Sequence, residues 1–100
     1  MKGTKDAKKF MEEIMGERFS FAMLFRSIRT RDDLTQRELA DKLGVTVSHV
    51  SDIENGRKFV SVERASEFAH KLKDSEKFFV SIALQDQVNQ ADLDYKVEIA

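Results

Sequence analysis

One stretch, from Thr35 to Gly56, constrains the fold of this 100-residue chain more than any other. Thr35, followed three residues later by Glu38, has the pattern of a capping box, so a helix is predicted to begin there. Gly44 ends this helix, because glycine adopts the left-handed conformation that commonly closes a helix. Thr46 then caps a second short helix, which the Asn-Gly pair at Gly56 ends. The stretch therefore predicts two short helices joined by one tight turn.

The apolar residues of this stretch are spaced as two packed helices require. Leu39, Ala40 and Leu43 form an apolar stripe on the first helix. Val50 and Ile53, three residues apart, form the buried edge of the second. Two helices joined by a three- to four-residue turn with glycine are a helix-turn-helix, whose second helix enters the major groove of DNA. The alternative is a plain helical hairpin that binds nothing.

The other face of the second helix is predicted to be exposed or partly exposed. Short polar side chains near its N-terminus suit close approach to base edges and phosphates. The residues on this face are Val47, Ser48, His49, Ser51 and Asp52. His49 either contacts DNA or is an ordinary exposed helix residue. A metal site is not expected, because no second histidine or carboxylate stands at ligand spacing on that face.

Three segments carry a family resemblance: Leu34-Thr-Gln-Arg-Glu-Leu-Ala40, Leu43-Gly-Val45 and Ile53-Glu-Asn-Gly-Arg57. With them, residues 19–72 resemble the phage-repressor-like, Xre-type helix-turn-helix DNA-binding proteins. The tails of so short a chain are also similar, more weakly, to those of HigA-type antitoxins.

The resemblance implies roles for individual residues. It implies an inward ion pair between Arg29 and Glu54, which makes both residues structural. It places Val47 and Ser48 against base edges, and Gln36 against phosphate and the recognition helix. After that helix, the resemblance implies that a polar loop grips the DNA backbone, whereas the alternative is a loop with no ligand. The full set of candidate DNA-binding residues is Gln36, Arg37, Thr46, Val47, Ser48, His49, Ser51, Asp52, Asn55, Arg57 and Lys58.

The chain departs from the family pattern at three positions. Asp33 stands where glycine is common, and Asp tolerates a left-handed backbone better than most residues. Val60 stands where proline is usual, which leaves the loop less rigid. Val47 replaces the common polar residue; it can pack on a thymine methyl but makes no hydrogen bond to a base.

The rest of the chain predicts three further helices. Residues 17–31 form the first helix of the domain, with one apolar face. Ser61 caps a fourth helix over residues 62–72, and a fifth runs from Glu76 to about Gln90. The predicted fold is all-α, a five-helix phage-repressor-like domain with or without a short C-terminal β-strand. Its parts are a partly helical N-terminal extension (1–16), the DNA-binding domain (17–73), and a C-terminal helix and tail for dimer or partner contacts (74–100).

Two C-terminal features predict a partner surface. The start of the fifth helix is apolar nearly all round, so a chain this small is not expected to cover it alone. The tail 94–100 alternates apolar and charged residues, which is a strand pattern, but an isolated strand is not stable. Two alternatives for this tail stay equally open: a strand that pairs with a partner, and a disordered tail. The candidate dimer or partner residues are Phe78, Phe79, Ile82, Tyr95, Val97 and Ile99.

Composition excludes several classes of function. The chain has no cysteine, and therefore no disulfide, thiolate nucleophile or cysteine zinc site. No phosphate loop, histidine cluster or recognisable carboxylate pair indicates an enzyme, and no cofactor is expected. No signal peptide or membrane-spanning apolar run is present in the sequence, so a soluble cytoplasmic protein is expected.

The charge distribution limits how DNA could be bound. The net charge is only −1, and residues 65–100 carry four basic against seven acidic side chains, a net of −3. DNA binding would therefore need a local basic face, with the acidic C-terminal third directed elsewhere. The N-terminal lysines either follow a DNA backbone or form a solvated tail.

Together these features predict a sequence-specific regulator of transcription that binds double-stranded DNA. A homodimer is expected to repress its own operon at a palindromic operator, with half-sites about 34 Å apart. The alternative is an antitoxin that neutralises a partner toxin protein and autoregulates the toxin–antitoxin operon.

Overall fold

The computed structural model describes residues 19–100 of the chain. The predicted N-terminal extension (1–16), with its short helix over residues 6–15, lies outside the described residues. Within these described residues there are five helices: α1 (Phe21–Asp32), α2 (Gln36–Leu43), α3 (Val47–Glu54), α4 (Val62–Leu72) and α5 (Glu76–Gln90). The all-α class is confirmed.

The first helix is shorter than the sequence indicated. It begins at Phe21 and not at Glu17, because the extended backbone of Ser20 forms the N-cap and its hydroxyl accepts a hydrogen bond from the Met23 N–H at 3.4 Å. At its other end Asp33 adopts the left-handed conformation with φ 55°, as expected for an aspartate in place of glycine. The helix therefore ends without a glycine.

The caps of the helix-turn-helix are as predicted. The Thr35 hydroxyl accepts from the Glu38 N–H at 3.0 Å, and the Glu38 carboxylate accepts from the Thr35 N–H at 2.9 Å. Gly44 closes α2 with φ 71°, and Thr46 caps α3 by accepting from the His49 N–H at 3.0 Å. These local bonds, together with the apolar stripe, fix where α2 ends and α3 begins.

A single core joins all five helices. Helix α3 packs on α1 and α2, while α4 packs on α2 and α5, and α5 also contacts α1. At its centre Phe21 makes edge-to-face contacts with Phe25 and Phe79, at ring-centroid distances of 5.6 and 5.7 Å. The other buried apolar residues are Leu24, Ile28, Leu39, Ala40, Leu43, Val50, Ile53, Val60, Ala65, Phe68, Ala69, Ile82 and Ala83.

No strand forms within residues 19–100, so the C-terminal β-strand is absent from this single chain. The tail after α5 instead returns along that helix. The buried side-chain amide of Gln85 makes hydrogen bonds to two backbone groups of the tail. It donates to the Tyr95 carbonyl at 2.7 Å and accepts from the Val97 N–H at 2.6 Å. The alternating pattern had no neighbouring strand to pair with, and one glutamine side chain supplies these bonds instead.

Candidate nucleic-acid interface

The N-terminus of α3 presents a small polar surface to solvent. Thr46 and Ser48 are exposed, whereas Val47 is half-buried and packs against the core. The Ser48 hydroxyl is therefore the accessible group of the first turn that could donate to or accept from a base edge. Val47 offers a recessed methyl surface.

The opposite side of α3 is fixed by a buried carboxylate. Glu54, whose side chain is 2% exposed, accepts two hydrogen bonds from Arg29, at 2.7 Å from Nε and 2.9 Å from Nη2. Gln36 donates to the same carboxylate at 3.1 Å, which ties the start of α2 to the end of α3. The hydrogen bond to Glu54 raises the pKa of Arg29 and so favours the charged guanidinium. Its effect is to fix the angle at which α3 faces solvent.

Gln36 and Arg37 stand side by side at the start of α2. Gln36 is half-buried because its amide reaches Glu54, while Arg37 is exposed. The structure thus gives Gln36 a contact with the recognition helix, and leaves the guanidinium of Arg37 accessible to a phosphate.

A basic loop follows α3 and is folded against it. Arg57 Nε donates to the Asp52 carboxylate at 2.9 Å, and Lys58 Nζ lies 3.9 Å from the other oxygen of that group. The backbone N–H groups of both residues also donate to the Asp52 carbonyl, at 2.8 and 3.2 Å. Both cationic side chains remain more than half exposed, so they are held in place yet accessible to an anion. The Asp52 carboxylate therefore acts as an internal anion, which means that it pairs with Arg57 and Lys58 in the absence of a bound phosphate.

Two other candidate residues are engaged with the backbone of the same helix end. Asn55 Nδ2 donates to the Ser51 carbonyl at 2.8 Å and lies 3.3 Å from its hydroxyl. Asn55 is exposed and Ser51 is half-buried. This pair lies on the last turn of α3, near the basic loop and further along the helix than Ser48.

The surroundings of His49 favour its neutral form. It is half-buried, and this burial lowers its pKa. The positive charges of Lys58 and Arg64 lower the pKa further, while Asp52 acts in the opposite direction. A neutral imidazole offers one donor and one acceptor, so His49 could read a base edge without carrying charge.

Arg64 belongs beside this surface and was not among the predicted residues. It lies in the first turn of α4, where its guanidinium stacks 5.4 Å from the centroid of the Phe68 ring and bonds Glu67 at 3.2 Å. Its positive charge lowers the pKa of His49 on the recognition helix. No sequence pattern predicts the position of Arg64, because it depends on how α4 packs on α2 and α5.

The predicted partner residues divide into two groups. Phe79 and Ile82 are buried in the core of the same chain, with 0% and 7% of their surface exposed. Phe78, Tyr95 and Ile99 are exposed, at 44%, 66% and 37%. Val97, beside them, is half-buried. The surface that a partner could contact is therefore on the tail and at the start of α5.

In residues 19–100 no three histidine, cysteine, aspartate or glutamate side chains cluster as a metal site would require. None of the five helices in that range is long and apolar enough to cross a membrane.

Comparison with known proteins agrees with the geometry of α2 and α3. A family model described as Helix-turn-helix matches residues 25–76, which is more than half of the chain. Searches of curated proteins and of solved structures found no match. The matched segment begins inside α1, spans the two motif helices and the basic loop, and ends at the start of α5. The chain belongs to the Xre-type helix-turn-helix family, a family of DNA-binding regulators of transcription.

Proposed function

We propose that this protein binds a specific double-stranded DNA operator as a homodimer and represses its own operon. The observation that carries the proposal is the position of α3. One side of this helix is fixed in the core through Val50, Ile53 and Glu54, while the N-terminal turn with Ser48 is open to solvent. A recognition helix held in this way can enter a major groove without rearranging the domain.

Sequence readout in this proposal depends on few side chains. Ser48 and His49 offer hydrogen-bonding groups, and Val47 offers a methyl surface to thymine. None of them makes the bidentate arginine–guanine contact that dominates many operators. Specificity therefore comes from several modest contacts, reinforced by two half-sites about 34 Å apart in a twofold complex.

Backbone contacts are assigned to the accessible cations around α3. Arg37 precedes the turn, and Arg57 and Lys58 follow the recognition helix. About three phosphate contacts per protomer give about six in a dimer. The logarithm of the binding constant for DNA should therefore fall with the logarithm of the salt concentration at a slope of about −5. Because the Asp52 carboxylate pairs with Arg57 and Lys58, the affinity for non-specific DNA should be weak.

Two substitutions test the contacts to bases and the contacts to the DNA backbone separately. Ser48→Arg should change which base pairs are preferred, because it adds a side chain able to pair with guanine in the major groove. Arg57→Ala should weaken binding to every duplex and reduce the salt slope by about 2 for the dimer. Selection from randomised duplexes measures the first effect, and titrations at several salt concentrations measure the second.

Arg31→Ala is the matched control for Arg57→Ala. Arg31 is equally exposed and also pairs with aspartates, but it lies at the end of α1, beside Asp32 and Asp74. Its removal should leave DNA binding unchanged. If Arg57→Ala and Arg31→Ala affected binding equally, the phosphate role of the basic loop would be wrong.

The antitoxin function remains a second proposal, favoured by the exposed apolar side chains of Phe78, Tyr95 and Ile99. It requires a small partner protein encoded beside this gene. Co-expression with the product of the neighbouring reading frame should then yield a stable complex, which should be lost when Tyr95 and Ile99 are replaced by serine. A complex that survives both replacements would place the partner elsewhere.

A further inference from the structure

The tail after α5 is held in one defined path. Gln85, 6% exposed, bonds the tail backbone at Tyr95 and Val97, and its amide also donates to the Asn89 side chain at 3.0 Å. Further on, residues 97–99 line a shallow groove with the start of α5, next to Phe78. The tail is thus positioned before any partner arrives, which lowers the entropy cost of pairing it.

Only one backbone edge of this tail is occupied. In an extended chain, alternate residues direct their backbone N–H and C=O groups to opposite edges. Gln85 bonds the edge to which Tyr95 and Val97 contribute. In the extended conformation that the alternating pattern predicts, Lys96 and Glu98 direct theirs to the other edge. Within residues 19–100 no hydrogen bond reaches the backbone of either residue. The tail therefore offers an open edge for strand addition.

We propose that this edge pairs with the same segment of a second copy of the chain, as an antiparallel strand with Val97 on the twofold axis. This inference rests on the proposed dimeric regulator, for which it supplies the interface. The strand absent from the single chain would then form across the dimer.

The side-chain pattern selects this partner and this register. With Val97 opposite its own counterpart, Lys96 lies opposite the partner's Glu98, and Tyr95 lies opposite the partner's Ile99. Opposite charges and an aromatic–β-branched pair are both favourable across strands. If one strand were shifted by two residues in one direction, the two copies of Lys96 would lie opposite each other. A shift in the other direction would place the two copies of Glu98 opposite each other. A parallel pairing would align like charges throughout.

The same register matches the open edge. Lys96 and the partner's Glu98 form the hydrogen-bonded pair of an antiparallel ladder, and these are the residues whose backbone groups face away from Gln85. Val97 becomes the central non-hydrogen-bonded pair. The pairing would also cover Tyr95 and Ile99, which are 66% and 37% exposed in the single chain.

A cysteine at the axis tests the register directly. The natural chain has no cysteine, so any disulfide must involve an introduced residue. Cα atoms of a non-hydrogen-bonded antiparallel pair are about 4.5 Å apart, within the range that a disulfide spans. Val97→Cys should therefore yield a covalent dimer under mild oxidation, seen on a non-reducing gel.

Asp94→Cys is the matched control, because it lies in the same tail and is more exposed than Val97, so poor access could not explain an absence of cross-linking. In the proposed register Asp94 lies opposite the partner's Ala100, and the two copies of residue 94 are about 20 Å apart at the ordinary rise per residue. It should not cross-link. Equal cross-linking at both positions, or none at residue 97, would overturn the proposal.

Charge exchange gives a second and independent test. Lys96→Glu opposes two glutamates in each of two symmetric pairs and should weaken the dimer about tenfold, as measured by sedimentation equilibrium. Adding Glu98→Lys exchanges the charges and should restore wild-type dimerisation. Failure of the double variant to recover, with circular dichroism showing a folded chain, would contradict the pairing.

These outcomes separate the inference from the proposed function. If the wild-type chain binds its operator as a dimer but Val97→Cys does not cross-link, the regulator stands and its interface lies elsewhere. If the tail cross-links as expected and no DNA is bound, the strand pairing stands and the operator function fails.

Discussion

Replacing Arg29 by alanine should destabilise the whole domain through the buried carboxylate of Glu54. That carboxylate is 2% exposed and would lose both hydrogen bonds from the guanidinium. Breaking one partner of a buried ion pair costs about 3–5 kcal/mol. Gln36 still donates at 3.1 Å, and the exposed Arg26 lies 3.9 Å away, so the lower end, about 3 kcal/mol, is expected.

Urea unfolding followed by circular dichroism measures this loss. With a slope of about 1 kcal/mol per molar urea for a small domain, the midpoint should fall by about 3 M. The double variant Arg29→Met with Glu54→Leu removes both charges and fills the space, so it should recover most of the stability. Recovery of stability in the double variant would show that the unpaired charge of Glu54 destabilises the Arg29→Ala variant.

Arg31→Ala serves as the control here too, because its ion pairs are exposed and should be worth less than about 1 kcal/mol. If Arg29→Ala cost no more than Arg31→Ala, the buried pair would not fix α3 and the reasoning would be refuted. A double variant as unstable as the single one would show that the loss comes from packing and not from charge.

Three further substitutions test other parts of the structure. Asp52→Asn should raise affinity for any duplex severalfold and steepen the salt slope, because Arg57 and Lys58 lose their internal anion; titration at two salt concentrations would show no change if the loop does not contact DNA. Burial raises the pKa of Asp86, so its carboxyl binds a proton more tightly when folded, and the resulting stability is lost as the pH rises through that raised pKa. Asp86→Asn should therefore be at least as stable as wild type in urea at pH 7, with any advantage vanishing near pH 3; a large loss at pH 7 would show that the charge itself is required. Gly44→Ala should cost about 1–2 kcal/mol in the same assay, since φ is 71° there and the nearest obstacle is only the flexible end of a lysine; a neutral effect would contradict the strain argument.

The sequence predicted the helix-turn-helix well because its signals are local. Thr35, Gly44 and Thr46 act through bonds to residues within three or four positions, so their effect does not depend on the rest of the fold. The Arg29–Glu54 pair came from the family resemblance, and the hydrogen bonds confirm it.

Features that depend on tertiary packing were predicted less well. The predicted start of α1 at Glu17 is wrong, because Ser20 caps the helix and α1 begins at Phe21. The apolar pattern of α5 could not show that Phe79 and Ile82 face the core while Phe78 faces solvent. The bonds from Gln85 to the tail join residues at least ten positions apart, and the effect of Arg64 on the pKa of His49 depends on how the helices pack. Neither can be predicted from the sequence pattern.

A fluorescence-anisotropy titration tests the central claim most directly. The labelled duplex comes from the region upstream of the gene, and a scrambled duplex of equal length serves as control, each at two salt concentrations. Operator binding by a dimer should exceed binding to the control by roughly a thousandfold or more and should weaken with salt at a slope of about −5. Equal and feeble binding to both duplexes would contradict the assignment of α3 as a recognition helix for this operator.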